Sequence, residues 1–247
     1  MEAVTVPGSG PNLEISPDGS QKLIELSDGE GLRNPTGIVG IKDQIVIVDG
    51  NQVISTSTDG TVTWRKSLDE DGVFFYDIEA LDEATLLVSD FGRGVFVRVA
   101  SDTGTIQPYL PEIQISGLAR FELDGDKIFA ASWGADGAWD SAIYRVSDLD
   151  ETAVSEKLSD GFGNLESVEV IDGQVILGAY RGHEDHQTTK LLKLDAREKV
   201  KPLQLGSDTQ GVSDIYFDGK RVWLTHFYDA SFSAHPAEHV SVVRREN

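Results

Sequence analysis

Cysteine is absent from all 247 residues, which excludes disulfides and thiolate metal sites. No apolar run approaches the roughly 20 residues that a membrane-spanning helix needs. Hydrophobic residues make up 39% of the chain, enough for a core and too few for a membrane protein. The opening residues, MEAVTVPGSG, carry neither a basic n-region nor an apolar h-region, so no secretory signal is expected and the compartment stays open. Positive charge is scarce. Lys and Arg number 21 against 42 Asp and Glu, a net charge of −21. A field of that sign repels phosphate backbones and anionic lipid, so nucleic acid and membrane insertion are not expected, whereas cations and basic partners are attracted. The acids are scattered rather than gathered in a tail, as on a solvated acidic surface. There is no Gly-x-Ser-x-Gly elbow and no phosphate loop.

What is present is one phrase, repeated. It reads PTGIVGIKDQIVIVDG, YDIEALDEATLLVSDFG, SGLARFELDGDKIFAASWG, LESVEVIDGQVILGAYRG and VSDIYFDGKRVWLTHFY. In each copy an apolar strand, a turn and a second apolar strand end on a polar or aromatic corner. Matching Ile38, Ile78, Leu118, Val168 and Ile215 gives spacings of 40, 40, 50 and 47 residues. Short strands at a period of about 40–50 residues are the signature of propeller blades. Two more strands follow each of the first four phrases: QVISTS and TVTWRKSL around the Asp59-Gly60 turn, then GVFVRVA and TIQPYL, SAIYRVS and TAVSEKL, KLLKLDA and VKPLQLG. Four strands per repeat is the content of a blade. After the fifth phrase the sequence runs only to HVSVVRREN, one strand short. Ahead of the first phrase stand NLEISPDG and QKLIELSDG. The second of these is expected to complete the last blade, which would remove a free sheet edge; NLEIS has no evident place in that count. The expectation is an all-β, single-domain β-propeller over residues 1–247, with five four-stranded blades closed by an N-terminal strand and six blades as the alternative.

The stretch from Ile115 to Phe227 resembles the senescence-marker/gluconolactonase group of propellers, and more loosely the NHL and YncE-like sets. ISGLARFELDGDKIFAASWG followed by AIYRVS is similar to that group's "NGL, DGD, lyVaSWG, iYRvD" blade, and DGFGNLESVEV to its "GlGNLDGiev" entry into the next. SPDG and RNPTGI near the N-terminus are also similar. The resemblance implies a propeller, usually six-bladed, that holds a divalent ion through acidic and asparagine side chains at the channel ends of inner strands. Ser116 stands where the asparagine of NGL would be, and Glu166 where the aspartate of NLDG would be. The acid expected from the group's first blade has no counterpart.

Because successive strands of a blade run antiparallel, the entry of each first strand and the exit of each second strand belong to one face. The entry set is Thr36, Tyr76, Asp77, Ser116, Glu166, Ser213 and Asp214. The exit set is Asp49, Asp90, Phe91, Ser132, Trp133, Tyr180, His226 and Phe227. Carboxylates that converge are relieved by protonation or by a cation, and oxygen donors suit calcium. Asp77, Glu166 and Asp214 are the expected metal ligands, with calcium, or alternatively zinc or manganese, as the divalent cation. The same acids also suit turn capping through backbone N–H groups. Asp49, Asp90, Phe91, Ser116, Trp133, Tyr180 and Phe227 are the expected small-molecule contacts; the aromatics among them equally suit packing between blades. All five histidines lie between His183 and His239, with His183 and His186 in one loop and His235 and His239 in another. Imidazoles there suit transition metals or solvent. The leading expectation is a monomeric, gluconolactonase-like propeller that binds a small molecule at an acidic mouth. One alternative is a metal-dependent hydrolase of the lactonase type with His226 as catalytic base. The other is a protein-interaction scaffold.

Overall fold

A computed structural model describes residues 3–4, 12–15, 21–134, 141–149, 152–161, 163–180, 190–195, 197–203, 211–226 and 231–236. Every described element is a β-strand and every pairing is antiparallel. No helix among the described residues is long and apolar enough to cross a membrane. The chain forms two compact units, Met1–Ile115 and Ser116–Asn247.

In the first unit β1 (Ala3–Val4), β2 (Asn12–Ile15) and β3 (Gln21–Ile24) form a three-stranded sheet in that order. NLEIS therefore has a place, in β2, between QKLI on one side and Ala3–Val4 on the other. The strand expected to close the last blade is β3, and its described hydrogen bonds run to β2. The first repeat forms β4 (Pro35–Ile41), β5 (Gln44–Asp49), β6 (Gln52–Ser57) and β7 (Val62–Ser67). The second forms β8 (Phe75–Ala80), β9 (Thr85–Asp90), β10 (Val95–Ala100) and β11 (Ile106–Tyr109). Each is a meander in chain order. The middle strands are mostly buried on both faces, so β5 and β9 read as nearly continuous apolar runs, while the outer strand β7 has no fully buried residue. Val46, Val48 and Val53 of one sheet pack with Ile78, Leu86 and Val88 of the next. The indole of Trp64, on β7, donates to the Ser101 carbonyl at 3.1 Å across the same seam.

The second unit repeats the plan. One sheet is β12 (Leu118–Asp124), β13 (Lys127–Ser132), β14 (Ala142–Ser147) and β15 (Val154–Asp160). The next is β16 (Asn164–Ile171), β17 (Gln174–Tyr180), β18 (Lys190–Leu194) and β19 (Val200–Leu203). The last repeat contributes β20 (Val212–Phe217), β21 (Arg221–His226) and β22 (Ser231–Pro236). HVSVVRREN, expected as the third strand of the last repeat, lies outside the described residues; the third strand is β22, so His235, expected in a loop, stands on a strand paired with β21. Five phrases thus give five blade sheets. First strands of successive sheets are neighbours, β12 beside β16 and β16 beside β20, with apolar seams through Ala131, Leu165 and Leu177, and through Ile176, Val212 and Leu224.

Candidate functional site

The first strand of all five repeats breaks register once, near its entry. The breaks fall between Pro35 and Gly37, Phe75 and Asp77, Leu118 and Phe121, Leu165 and Ser167, and Val212 and Asp214. A β-bulge sets an extra residue between two pairs of the ladder, bends the strand and re-aims side chains; such bulges recur next to binding sites. The bulged positions are Thr36, Tyr76, the Ala119–Arg120 pair, Glu166 and Ser213. Four of them belong to the entry set expected from sequence.

The third repeat corrects that expectation. The paired residue ahead of the bulge is Pro35, Phe75, Leu118, Leu165 and Val212, so the residue equivalent to Ile38, Ile78, Val168 and Ile215 is Phe121, not Leu118. The spacings become 40, 43, 47 and 47 residues. Ser116 therefore lies two residues before the strand, exposed, and its carbonyl accepts the Ser132 hydroxyl at 2.6 Å. Ala119 and Arg120 occupy the place that Ser116 was expected to fill.

In the first unit the exit acids bond to loop backbone. Buried Asp49 accepts the N–H of Arg33, at 3.1 and 3.0 Å to its two oxygens, and that of Asn34. Asp90, fully buried, accepts the N–H of Phe74 at 3.1 Å and that of Arg93 at 3.2 Å, and pairs with the Arg93 guanidinium at 2.6 Å. These are the capping bonds that aspartate offers at strand ends. The N–H of Asp77 donates to Ser89 Oγ at 3.0 Å, and the residue is buried. Phe91 packs on Tyr76 at 5.5 Å between ring centres and edge-on to Phe74 at 6.3 Å, a three-ring cluster whose members are all half-buried. Thr36 donates to the Phe75 carbonyl at 3.1 Å.

In the second unit the bulges collect charge of both signs. Glu166 is 6% exposed. Arg120 reaches Asp214 at 3.8 Å, with the arginine side chain 12% and the aspartate side chain 43% exposed. Asp214 also accepts the N–H of Ile215 at 3.0 Å. Ser213 shares a 2.8 Å hydrogen bond with Thr225. One strand-turn further in, Glu169 accepts the N–H of Val170 and the N–H of Phe217, each at 3.0 Å. Burial pushes its carboxyl up to about 7, the two backbone donors hold it down in part, and Asp214 adds to the rise. His226 Nε2 lies 2.8 Å from Ser233 Oγ. Trp133 is half-buried at the end of β13, beside Ser132, whose Oγ accepts the Gly134 N–H at 3.0 Å. Tyr180 ends β17, but its side chain lies outside the described residues, as do Phe227, His183, His186 and His239.

Arg120 and Glu169 were not singled out in the sequence. The FELDGD hairpin, read from its second residue back to the bulge, would have exposed the three-residue slip and brought Arg120 into register with Asp77 and Asp214. Glu169 gave no local signal, because the Phe217 N–H that its carboxylate accepts lies 48 residues on. Among the described residues no group of three or more His, Asp or Glu side chains is placed to hold a metal ion.

No family model matches the sequence, and no curated protein matches it. Solved structures do. The virginiamycin B lyase of Staphylococcus aureus superposes with a TM-score of 0.63 at 15% identity, covering 92% of this chain and 74% of that one. The fold is that of a β-propeller. The calcium-binding protein regucalcin from Agrobacterium tumefaciens is similar at a TM-score of 0.61 and 10% identity, over 85% of this chain and 72% of that one. A computationally designed protein, Ika8, is similar at 0.52 and 14% identity, covering 98% and 73%. The resemblance to the senescence-marker/gluconolactonase propellers thus holds at the level of fold, which is what likeness at such identities carries.

Proposed function

We propose that this chain is a ligand-binding β-propeller whose second unit takes a small polar molecule at the bulged entries of β12, β16 and β20. The observation that carries this is the bulge repeated in every first strand, with Arg120, Glu166 and Ser213 on three neighbouring ones. A largely buried guanidinium, a buried carboxylate and a hydroxyl offer both donors and acceptors to a neutral, oxygen-rich ligand. Two of the similar propellers are consistent with such a use: the Staphylococcus aureus lyase has been solved with quinupristin, and regucalcin binds calcium.

A divalent ion on the second unit's expected ligands, Glu166 and Asp214, is the second form of the proposal, and Arg120 weighs between the two. A guanidinium 3.8 Å from Asp214 already supplies the positive charge that an ion would bring. The metal-free form is therefore favoured, and no chemical step is routed through an ion. The test is a thermal-shift panel of lactones, sugars and neutral esters, run with and without calcium on wild type, Arg120→Met and Glu166→Gln. Stabilisation of wild type that either substitution removes is the expected result. Shifts that survive both substitutions would move the site off this face. No shift from any compound would favour the interaction-scaffold reading.

A further inference from the structure

The last repeat carries a side-chain cluster that the proposed ligand contacts Arg120, Glu166 and Ser213 do not include. Val222, Leu224 and His226 alternate onto one face of β21, and pairing with β22 sets His235 opposite Val222, Ser233 opposite Leu224 and Ser231 opposite His226. Val222 and Leu224 are buried, whereas His226, Ser233 and His235 are half-buried, so these three sit where the core meets solvent. Ser233 Oγ is 2.8 Å from His226 Nε2 and 3.0 Å from His235 Nε2. A hydroxyl has one proton. With both rings neutral, one imidazole accepts it at Nε2 while the other donates its own Nε2–H to the same oxygen. The serine is thereby held by one ring while its proton points at the basic nitrogen of the other, the geometry from which a nucleophile is activated as it attacks.

We propose that Ser233 is an acyl-accepting nucleophile, with His226, the nearer ring, as its general base and His235 as the donor that positions Oγ. The substrate class is small, neutral carboxylic esters, since an acyl-accepting serine takes esters and a chain of net charge −21 repels anionic acyl groups. As Oγ bonds to the carbonyl carbon, its proton passes to His226 Nε2 and the carbonyl π pair moves onto oxygen. Collapse breaks the acyl C–O bond, and the proton on His226 goes to the leaving alkoxide. Water then adds to the acyl-serine, giving its proton to His226. The second collapse expels Oγ, which takes that proton back, so the chain is regenerated and no co-reactant beyond water is needed. The proposal stands apart from the ligand face, because modification of Ser233 reads the serine whatever binds beside Arg120.

The test is labelling of the intact chain with a fluorophosphonate, mapped by peptide mass spectrometry. A single adduct on Ser233 is expected, lost on heat denaturation and in Ser233→Ala. His226→Gln should slow labelling by about 10²–10⁴-fold, the usual reach of a general base, and His235→Gln by less. Ser233→Cys keeps the cluster's shape if the alanine variant fails to fold; its alkylation by iodoacetamide should then depend on His226 in the same way. Natively folded protein without an adduct at Ser233, or labelling that His226→Gln leaves unchanged, overturns the proposal.

Discussion

Glu169 makes a pH-dependent load on the fold that one substitution should remove. Its ordinary value is 4.5 and its folded value about 7, raised first by burial. Below pH 4.5 the carboxyl is neutral in both states and costs nothing. Between 4.5 and 7 the unfolded chain releases the proton while the folded one keeps it, so the folded state binds more protons and stability falls as pH rises. Above 7 the loss is complete. At about 1.36 kcal/mol per pH unit, the gap corresponds to roughly 3 kcal/mol. Glu169→Gln removes the titration but not without loss. The carboxylate accepts two backbone N–H groups, from Val170 and Phe217, and an amide offers one oxygen. One N–H is left facing an NH₂ group, worth about 1–3 kcal/mol of destabilisation. The variant should therefore be less stable than wild type at pH 5 and equal or more stable at pH 8. The assay is urea unfolding of both proteins from pH 4.5 to 8 at fixed ionic strength. Taking the difference cancels the titrating groups that do not interact with Glu169, and it should swing by roughly 3 kcal/mol, steepest between pH 5 and 7. Parallel stability curves would refute the reasoning, since they would mean that Glu169 ionises alike in both states.

Three further outcomes are expected. A Cβ at Gly37 would lie 2.9 Å from the Asp77 Cα and 3.0 Å from the Tyr76 carbonyl oxygen, whereas one at Gly40 on the same strand meets nothing within 4 Å; Gly37→Ala should destabilise by about 1–3 kcal/mol and Gly40→Ala should stabilise by about 0.4–1 kcal/mol, read by urea unfolding. Self-repulsion at a net charge of −21 should be relieved by screening, so the melting temperature should rise between low and molar sodium chloride, and a flat profile would mean local compensation. An ion bound only by the folded state stabilises by roughly 2.7 kcal/mol at a hundredfold excess over its Kd; with Arg120 beside Asp214, calcium should give wild type no shift beyond the ionic-strength control, and Arg120→Met should gain one. A calcium-specific shift in wild type would restore the divalent ion to the site.

The repeat was legible because the second strand of each of the first two blades is apolar on either face: QIVIVD and TLLVSD announce themselves from local sequence. Their hairpin turns, Asp124-Gly125 and Asp172-Gly173 among them, are equally local. The phase of the third repeat was not. SGLARF offers an apolar residue at both Leu118 and Phe121, and only the hydrogen-bond register shows that the bulge lies between them. That slip hid Arg120. Asp49 and Asp90 were visible as strand-end acids, but capping and ligand contact look alike until the N–H groups of Arg33 and Phe74 are placed. Ser233 was passed over because its chemistry depends on a diagonal contact to His226 across two strands, which no spacing in the sequence encodes.

The bulged residues are also the ones a blade can exchange without shifting its register. Each falls between two register pairs, so the ladder on either side of it, Leu165 with Ala179 and Ser167 with Gly178 in the fourth repeat, does not run through its identity, although its side chain makes contacts of its own, as Thr36 does with the Phe75 carbonyl. Thr, Tyr, Ala, Glu and Ser already occupy the five places in one chain. Specificity is thereby uncoupled from foldability. A library randomised at Thr36, Tyr76, Ala119, Glu166 and Ser213 should stay folded far more often than one randomised at the five residues that precede them, and such a scaffold can acquire a new ligand without first acquiring a new core.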